Sequence, residues 1–179
     1  MIVVLNNKSN LDKKEFMEYQ NELKKIESSY QLVICPSQVY LNSIDLPTFD
    51  LGSQNVSSYH QGAYTGEIYA HQLKSLDVKY CLVGHSERRK YQRETNKDIN
   101  EKIKRLLEEE ITPILCIGET KEQKDSKKTE PMYHSLYQIP YSMKYLFPKW
   151  FVIIFIPKNQ AITIMNKFIC LNSRTYSFF

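Results

Sequence analysis

Short apolar runs and longer amphipathic stretches take turns along the first 120 residues. Ile2–Leu5 reads as a strand, and Asp12 with Glu15 three residues on then forms a capping box. Phe16, Tyr19, Leu23 and Ile26 follow at helical spacing. Leu32–Cys35 predicts a second strand, broken by Pro36, and Phe49–Ser53 a weaker third. Ile68–Leu76 predicts a short helix leading into a fourth strand, Tyr80–Val83. Ile99–Glu110 is charged and amphipathic, with Ile99, Ile103, Leu106 and Leu107 on one stripe, and Ile114–Ile117 is a fifth strand. Strands alternating with helices imply parallel βαβ units with right-handed crossovers. Five units in this length is the rhythm of a (β/α) barrel, with a doubly wound open sheet as the rival. Two more β-prone runs, Trp150–Ile156 and Ala161–Met165, have no convincing helix between them. There the alternation stops.

Composition breaks at the same place. All 20 acidic residues of the 179-residue chain lie at or before Glu130, so residues 1–130 carry a net −1 and residues 131–179 a net +5. No glycine follows Gly118, while 12 of the 22 aromatics lie in the last 49 residues. The seam falls near Thr129–Pro131. It divides the chain into an α/β domain (1–130) and a basic, aromatic-rich tail (131–179), expected to be non-native or poorly ordered. Five positive charges spread over 49 residues form no concentrated patch, which argues against nucleic-acid binding. The longest apolar run, Trp150–Ile156, is far below the roughly 20 residues that span a bilayer. Cys35, Cys81, Cys116 and Cys170 lack CxxC spacing and sit in apolar runs. Buried thiols in a reducing compartment are therefore expected. With no export signal in the first residues, the expected location is cytoplasmic.

The densest chemistry is Val83-Gly84-His85-Ser86-Glu87-Arg88-Arg89. A strand ends in a glycine turn, and a helix start then presents an imidazole and a carboxylate at the strand's carboxyl end, where ligands bind in α/β proteins. Taken alone, His85 is equally a structural residue, and Glu87 is equally a helix-start carboxylate. A zinc-deaminase reading of His85-Ser86-Glu87 fails, because Pro113-Ile114-Leu115-Cys116 lacks the Pro-Cys-x-x-Cys partner. Arg88 and Arg89 suit ion pairing, Glu94 being in reach. Asn6 and Lys8 form a polar turn after the first strand, and Gly62–Glu67 is a two-glycine loop carrying an aromatic.

Together these pieces resemble the amino-terminal half of the triosephosphate isomerase family. The matching stretches are Asn6-Asn7-Lys8, Gln54-Asn55, Gly62-Ala63-Tyr64-Thr65-Gly66-Glu67, Val83–Arg89 and Thr112–Thr120, in family order. The resemblance covers about two thirds of the chain. It implies a partial (β/α)8 TIM barrel of about five βα units followed by a non-family tail. It also implies the glycolytic and gluconeogenic interconversion of glyceraldehyde 3-phosphate and dihydroxyacetone phosphate, with no cofactor and no metal. By that resemblance Lys8 and Asn6 bind substrate, and neutral His85 is the electrophile that polarises the carbonyl; the family is a known case of a histidine kept neutral in this way. Glu87 orients Lys8 or Asn6. Tyr64, Thr65, Gly66 and Glu67 enter a neighbouring subunit of a homodimer. Asn7 stands where the family usually has tryptophan, so looser packing behind Lys8 is expected. The family's general base is a glutamate in a Tyr-Glu-Pro-Val-Trp setting, and no Asp or Glu follows Glu130 here. The phosphate lid and later glycine loops have no counterpart either. The expectation is a truncated and catalytically impaired isomerase. The alternatives are a non-catalytic half-barrel interaction protein, or a tail produced by misreading of the gene.

Overall fold

The computed structural model describes residues 2–116 and the backbone of 151–154. Five parallel strands come first: β1 (Ile2–Asn6), β2 (Gln31–Cys35), β3 (Phe49–Ser53), β4 (Tyr80–Val83) and β5 (Thr112–Leu115). Between them lie α1 (Lys13–Leu23), a short 3-10 helix (Gln38–Ser43), α2 (Ala70–Ser75), α3 (Ser86–Tyr91) and α4 (Asn96–Glu108). A sixth strand, β6 (Phe151–Ile154), lies parallel to β1, so the order across the sheet is β5-β4-β3-β2-β1-β6.

β2 and β4 are buried on both faces, as their apolar runs require, and β3 between them is partly buried at Asp50 and Leu51. Val3 and Leu5 of β1 and Leu32 and Ile34 of β2 pack outward with Leu23 of α1. Cys81 and Val83 of β4 pack outward with Ile99, Ile103 and Leu106 of α4. The alternate residues Val4, Val33, Leu82 and Ile114 share a core on the inner face. Val33 and Leu82 belong to strands two apart, about 10 Å in a flat sheet. They join one core because β3 presents Gly52 between them, where an added Cβ would lie 2.5 Å from the Cys35 sulfur. The sheet therefore curls into part of a TIM barrel, and the open-sheet alternative falls away.

The elements follow their local signals. Asp12 caps α1: its carboxylate accepts the Glu15 N–H at 2.8 Å, and Glu15 returns a bond to the Asp12 N–H at 3.0 Å. Thr95 and Asp98 cap α4 in the same manner, three residues before its expected start. The fifth strand begins at Thr112 rather than Ile114 and includes Pro113. Thr112 and Cys116 donate their N–H groups to β4-side carbonyls. By alternation, the position of Pro113 whose N–H is missing faces away from β4. Cys35, Cys81 and Cys116 are buried and reduced, as expected, and burial pushes Cys81 and Cys116 up to about 12. Of the tail, Phe151–Ile154 joins the sheet inside the β-prone run Trp150–Ile156. The expected seam at 129–131, the run 161–165, Cys170 and the Gly118–Thr120 end of the last motif lie outside the described residues.

Candidate functional site

The carboxyl ends of β1, β3 and β4 face one another across the curl. After β1 the chain turns sharply, and Lys8 adopts φ 52°, a left-handed conformation costly for a residue with a Cβ. Five contacts surround the turn. The Asn6 side chain accepts the Lys8 N–H at 3.1 Å, and the Asn7 N–H reaches the Cys35 carbonyl at 3.1 Å. The Gln54 amide, just past β3, donates to the Lys8 carbonyl at 2.9 Å and to the Cys35 carbonyl at 3.0 Å. The Lys8 ammonium meets the Glu87 carboxylate at 2.7 Å, an ion pair linking residues 79 apart in sequence.

From β4, Gly84 turns at φ 70°, and an added Cβ would sit 3.1 Å from both Arg89 and Ile99. Glycine at that point is therefore required twice over, by conformation and by space. His85 caps α3: its Nδ1 accepts the Glu87 N–H at 3.2 Å. A ring nitrogen that accepts from an N–H carries no proton, so the neutral imidazole holds its hydrogen on Nε2. Only 8% of the side chain is exposed. Burial is the main force holding the imidazole below its ordinary 6.5, with the Lys8 charge adding to it and Glu87 opposing it. Glu87 is itself held below the usual carboxylate range, chiefly by its bond to Lys8. One carboxylate thus contacts both neighbours, with its second oxygen 3.6 Å from His85 Nδ1.

Magnitudes indicate what holds the turn. The left-handed Lys8 backbone costs about 1–3 kcal/mol. Lys8 and Glu87 are 38% and 45% exposed, and a pair so open to water contributes about 0–1 kcal/mol. The two Gln54 bonds contribute about 0.5–1.5 kcal/mol each. Backbone clamping, more than charge, fixes the turn.

The sequence-selected residues Asn6, Lys8, His85 and Glu87 are therefore brought together at one end of the sheet. Of the two arginines, Arg88 makes the ion pair with Glu94. Arg89 instead donates to the Gly84 carbonyl at 2.9 Å and the Asn96 side chain at 2.8 Å. Glu94 also binds Lys102 of α4 at 2.5 Å, with both side chains at most 7% exposed. Lys102 donates in turn to the Asn55 side chain at 2.7 Å. A lysine interrupting the apolar stripe of α4 was the sequence signal for this buried network. Tyr64 to Glu67 stand apart on an exposed loop, where Tyr64 stacks on Tyr59 at 4.3 Å. Asn7 contacts the Tyr19 hydroxyl of α1, tying the turn to that helix. Among the described residues, no group of three or more His, Cys, Asp or Glu is placed to hold a metal, and no helix is long and apolar enough to cross a membrane.

A partial parallel barrel brings a lysine, a histidine and a glutamate together at the carboxyl end of its strands, where barrels of this class carry their ligand sites. Sequence comparison narrows it. A family model described as triosephosphate isomerase matches residues 1–145, and the chain belongs to that family. It is 41% identical over 128 residues to the triosephosphate isomerase of Trichodesmium erythraeum, covering 69% of this chain and 53% of the relative. The Mesomycoplasma hyorhinis triosephosphate isomerase is 36% identical over 145 residues, covering 77% and 59%. That of Clostridium botulinum strain Loch Maree is 38% identical over 135 residues, covering 72% and 54%. The chain spans about half the length of the curated relatives it matches.

Proposed function

We propose that Asn6, Lys8, His85 and Glu87 form the electrophilic, anion-binding half of a triose-phosphate isomerase site. The convergence of Lys8 and His85 on Glu87 carries this reading. The reaction moves a proton between the adjacent carbons of dihydroxyacetone phosphate and glyceraldehyde 3-phosphate. A base removes it, the carbonyl oxygen becomes an enediolate oxygen, and the proton returns one carbon away. The Nε2–H of a neutral His85 donates to that oxygen as its charge grows, and a fixed ammonium stabilises both it and the phosphate. Glu87 and Asn6 orient the ammonium and the turn that carries it.

Proton removal is the step to which this sequence offers no residue matching the family's base. No Asp or Glu follows Glu130 in this sequence. We therefore propose that the chain by itself binds triose phosphate and turns it over poorly. General base catalysis contributes roughly 10²–10⁴ in rate. The exposed Tyr59–Tyr64 stack and the Gly62–Glu67 loop also favour docking on a second copy of the chain, in a reducing, cytoplasmic setting.

Calorimetric titration of the full chain with dihydroxyacetone phosphate, beside a coupled isomerisation assay, tests both parts. Binding that disappears in Lys8→Ala supports the half-site, and binding indifferent to that substitution removes it. Turnover at the Lys8→Ala background supports the impairment, and turnover well above it refutes the impairment.

A further inference from the structure

Gln54 belongs to the pair Gln54-Asn55, which the proposed chemistry leaves without a part. Its side-chain amide makes two bonds, to the Lys8 carbonyl at 2.9 Å and the Cys35 carbonyl at 3.0 Å. Those carbonyls belong to the turn after β1 and to the last residue of β2. A single NH2 group therefore bridges two strand ends from a third. The donor is itself anchored. The neighbouring Asn55 carbonyl accepts from Ser53 Oγ at 2.7 Å and from the Gln38 side chain at 3.1 Å. Its side chain accepts from Lys102, which lies within the buried pair with Glu94. Gln54 thus reaches the turn after β1 from a segment tied to the 3-10 helix and to α4.

What it grips is a residue in a costly backbone conformation. Lys8 holds a left-handed conformation, and its exposed ion pair with Glu87 is too weak to impose that conformation. We propose that Gln54 is a positioning residue: its amide pins the Lys8 carbonyl to the β2 end and so sets where the Lys8 ammonium stands relative to Glu87 and His85. It touches no reacting atom. The inference takes the proposed half-site as its setting, and its geometric content stands apart from any ligand.

Gln54→Glu keeps the shape and exchanges the bridging donors for oxygens that repel both carbonyls. The full chain, labelled with carboxyl ¹³C-glutamate, reports Glu87 directly, with Glu87→Gln supplying the assignment. The titratable groups facing that carboxylate are the Lys8 ammonium and the neutral His85 imidazole. In Gln54→Glu the Glu87 titration rises toward the ordinary carboxylate range, in the direction of the Lys8→Ala reference. Affinity for inorganic phosphate falls about tenfold, the equivalent of one or two such hydrogen bonds. Gln54→Met, which deletes the donor without adding charge, gives the same displacement and serves where the glutamate variant folds poorly. A lower melting temperature with an unmoved Glu87 titration would make Gln54 merely structural and overturn the proposal. A moved titration in a chain that never binds phosphate would keep the positioning role while removing the substrate reading.

Discussion

His85 is kept neutral mainly by burial, and that has a consequence for stability as well as chemistry. Its folded proton affinity lies below the ordinary 6.5 of an exposed histidine. The unfolded chain therefore takes up the proton first as pH falls, and stability drops wherever the unfolded state binds more protons. The contribution is complete above pH 6.5 and is lost as the pH descends from there toward the folded value. Glu87, also depressed, adds its own loss only below its ordinary 4.5. The urea midpoint of the native chain should thus fall more steeply below pH 6.5 than that of His85→Gln. Parallel curves for the two proteins would show that His85 titrates alike folded and unfolded. This residue was legible from its place after a glycine turn, as were Lys8 and Glu87 from the pattern they share with a family. Gln54 was visible as a letter in that pattern, but its role was not. Its partners are backbone carbonyls 46 and 19 residues away, and no side-chain chemistry marks a carbonyl in a sequence.

At the scale of elements, period and capping located most of what formed. Phe49–Ser53 and Tyr80–Val83 appear with their expected bounds: Tyr80–Val83 is a continuous apolar run ending at a glycine, which specifies a buried parallel strand, whereas Phe49–Ser53 carries Asp50 and Gly52 and was the weaker signal. The start of α4 was expected late, at its apolar stripe. Thr95 and Asp98 carry the start signal, and the stripe begins a turn later. The 3-10 helix Gln38–Ser43 had no comparable local cue. Buried Gln20 of α1 holds it by accepting from the Asp45 N–H and donating to the Ser43 carbonyl, and Tyr40 stacks on Phe16. Tertiary contacts made that element. Pairing of β6 with β1 was equally non-local, although its β-prone composition was plain. It invites a direct test. Adjacent residues of a parallel strand send their N–H groups to opposite sides, so Val152→Pro with Ile153→Pro removes a donor toward β1 whichever way the strand faces. Amide exchange within Ile2–Asn6 should accelerate in that double variant while β4 and β5 keep their protection. Unchanged exchange in β1 would mean that β6 contributes nothing to its edge.

For the whole molecule, the layout separates two tasks. The inner and outer cores bind the strands into a curl, and the strand ends carry polar residues from several segments distant in sequence. The loop from Gly62 to Glu67 belongs to neither core and lies exposed, its Tyr64 ring resting only on Tyr59 among the described aromatic contacts. If it docks on a second copy, sedimentation equilibrium of the full chain gives twice the monomer mass, and deletion of 62–67 returns the monomer mass. Identical masses before and after deletion would remove the loop from assembly. Finally, the partnership of Ile2–Leu5 with Phe151–Ile154 sets a schedule for synthesis. The first strand leaves the ribosome about 145 residues ahead of the strand that shields its outer side, an interval on the order of 10–30 s at usual translation rates. Throughout that wait the nascent chain displays a bare row of backbone donors and acceptors, the kind of template on which neighbouring chains assemble. Chaperone demand during translation should accordingly track the speed at which the ribosome crosses residues 6 to 151.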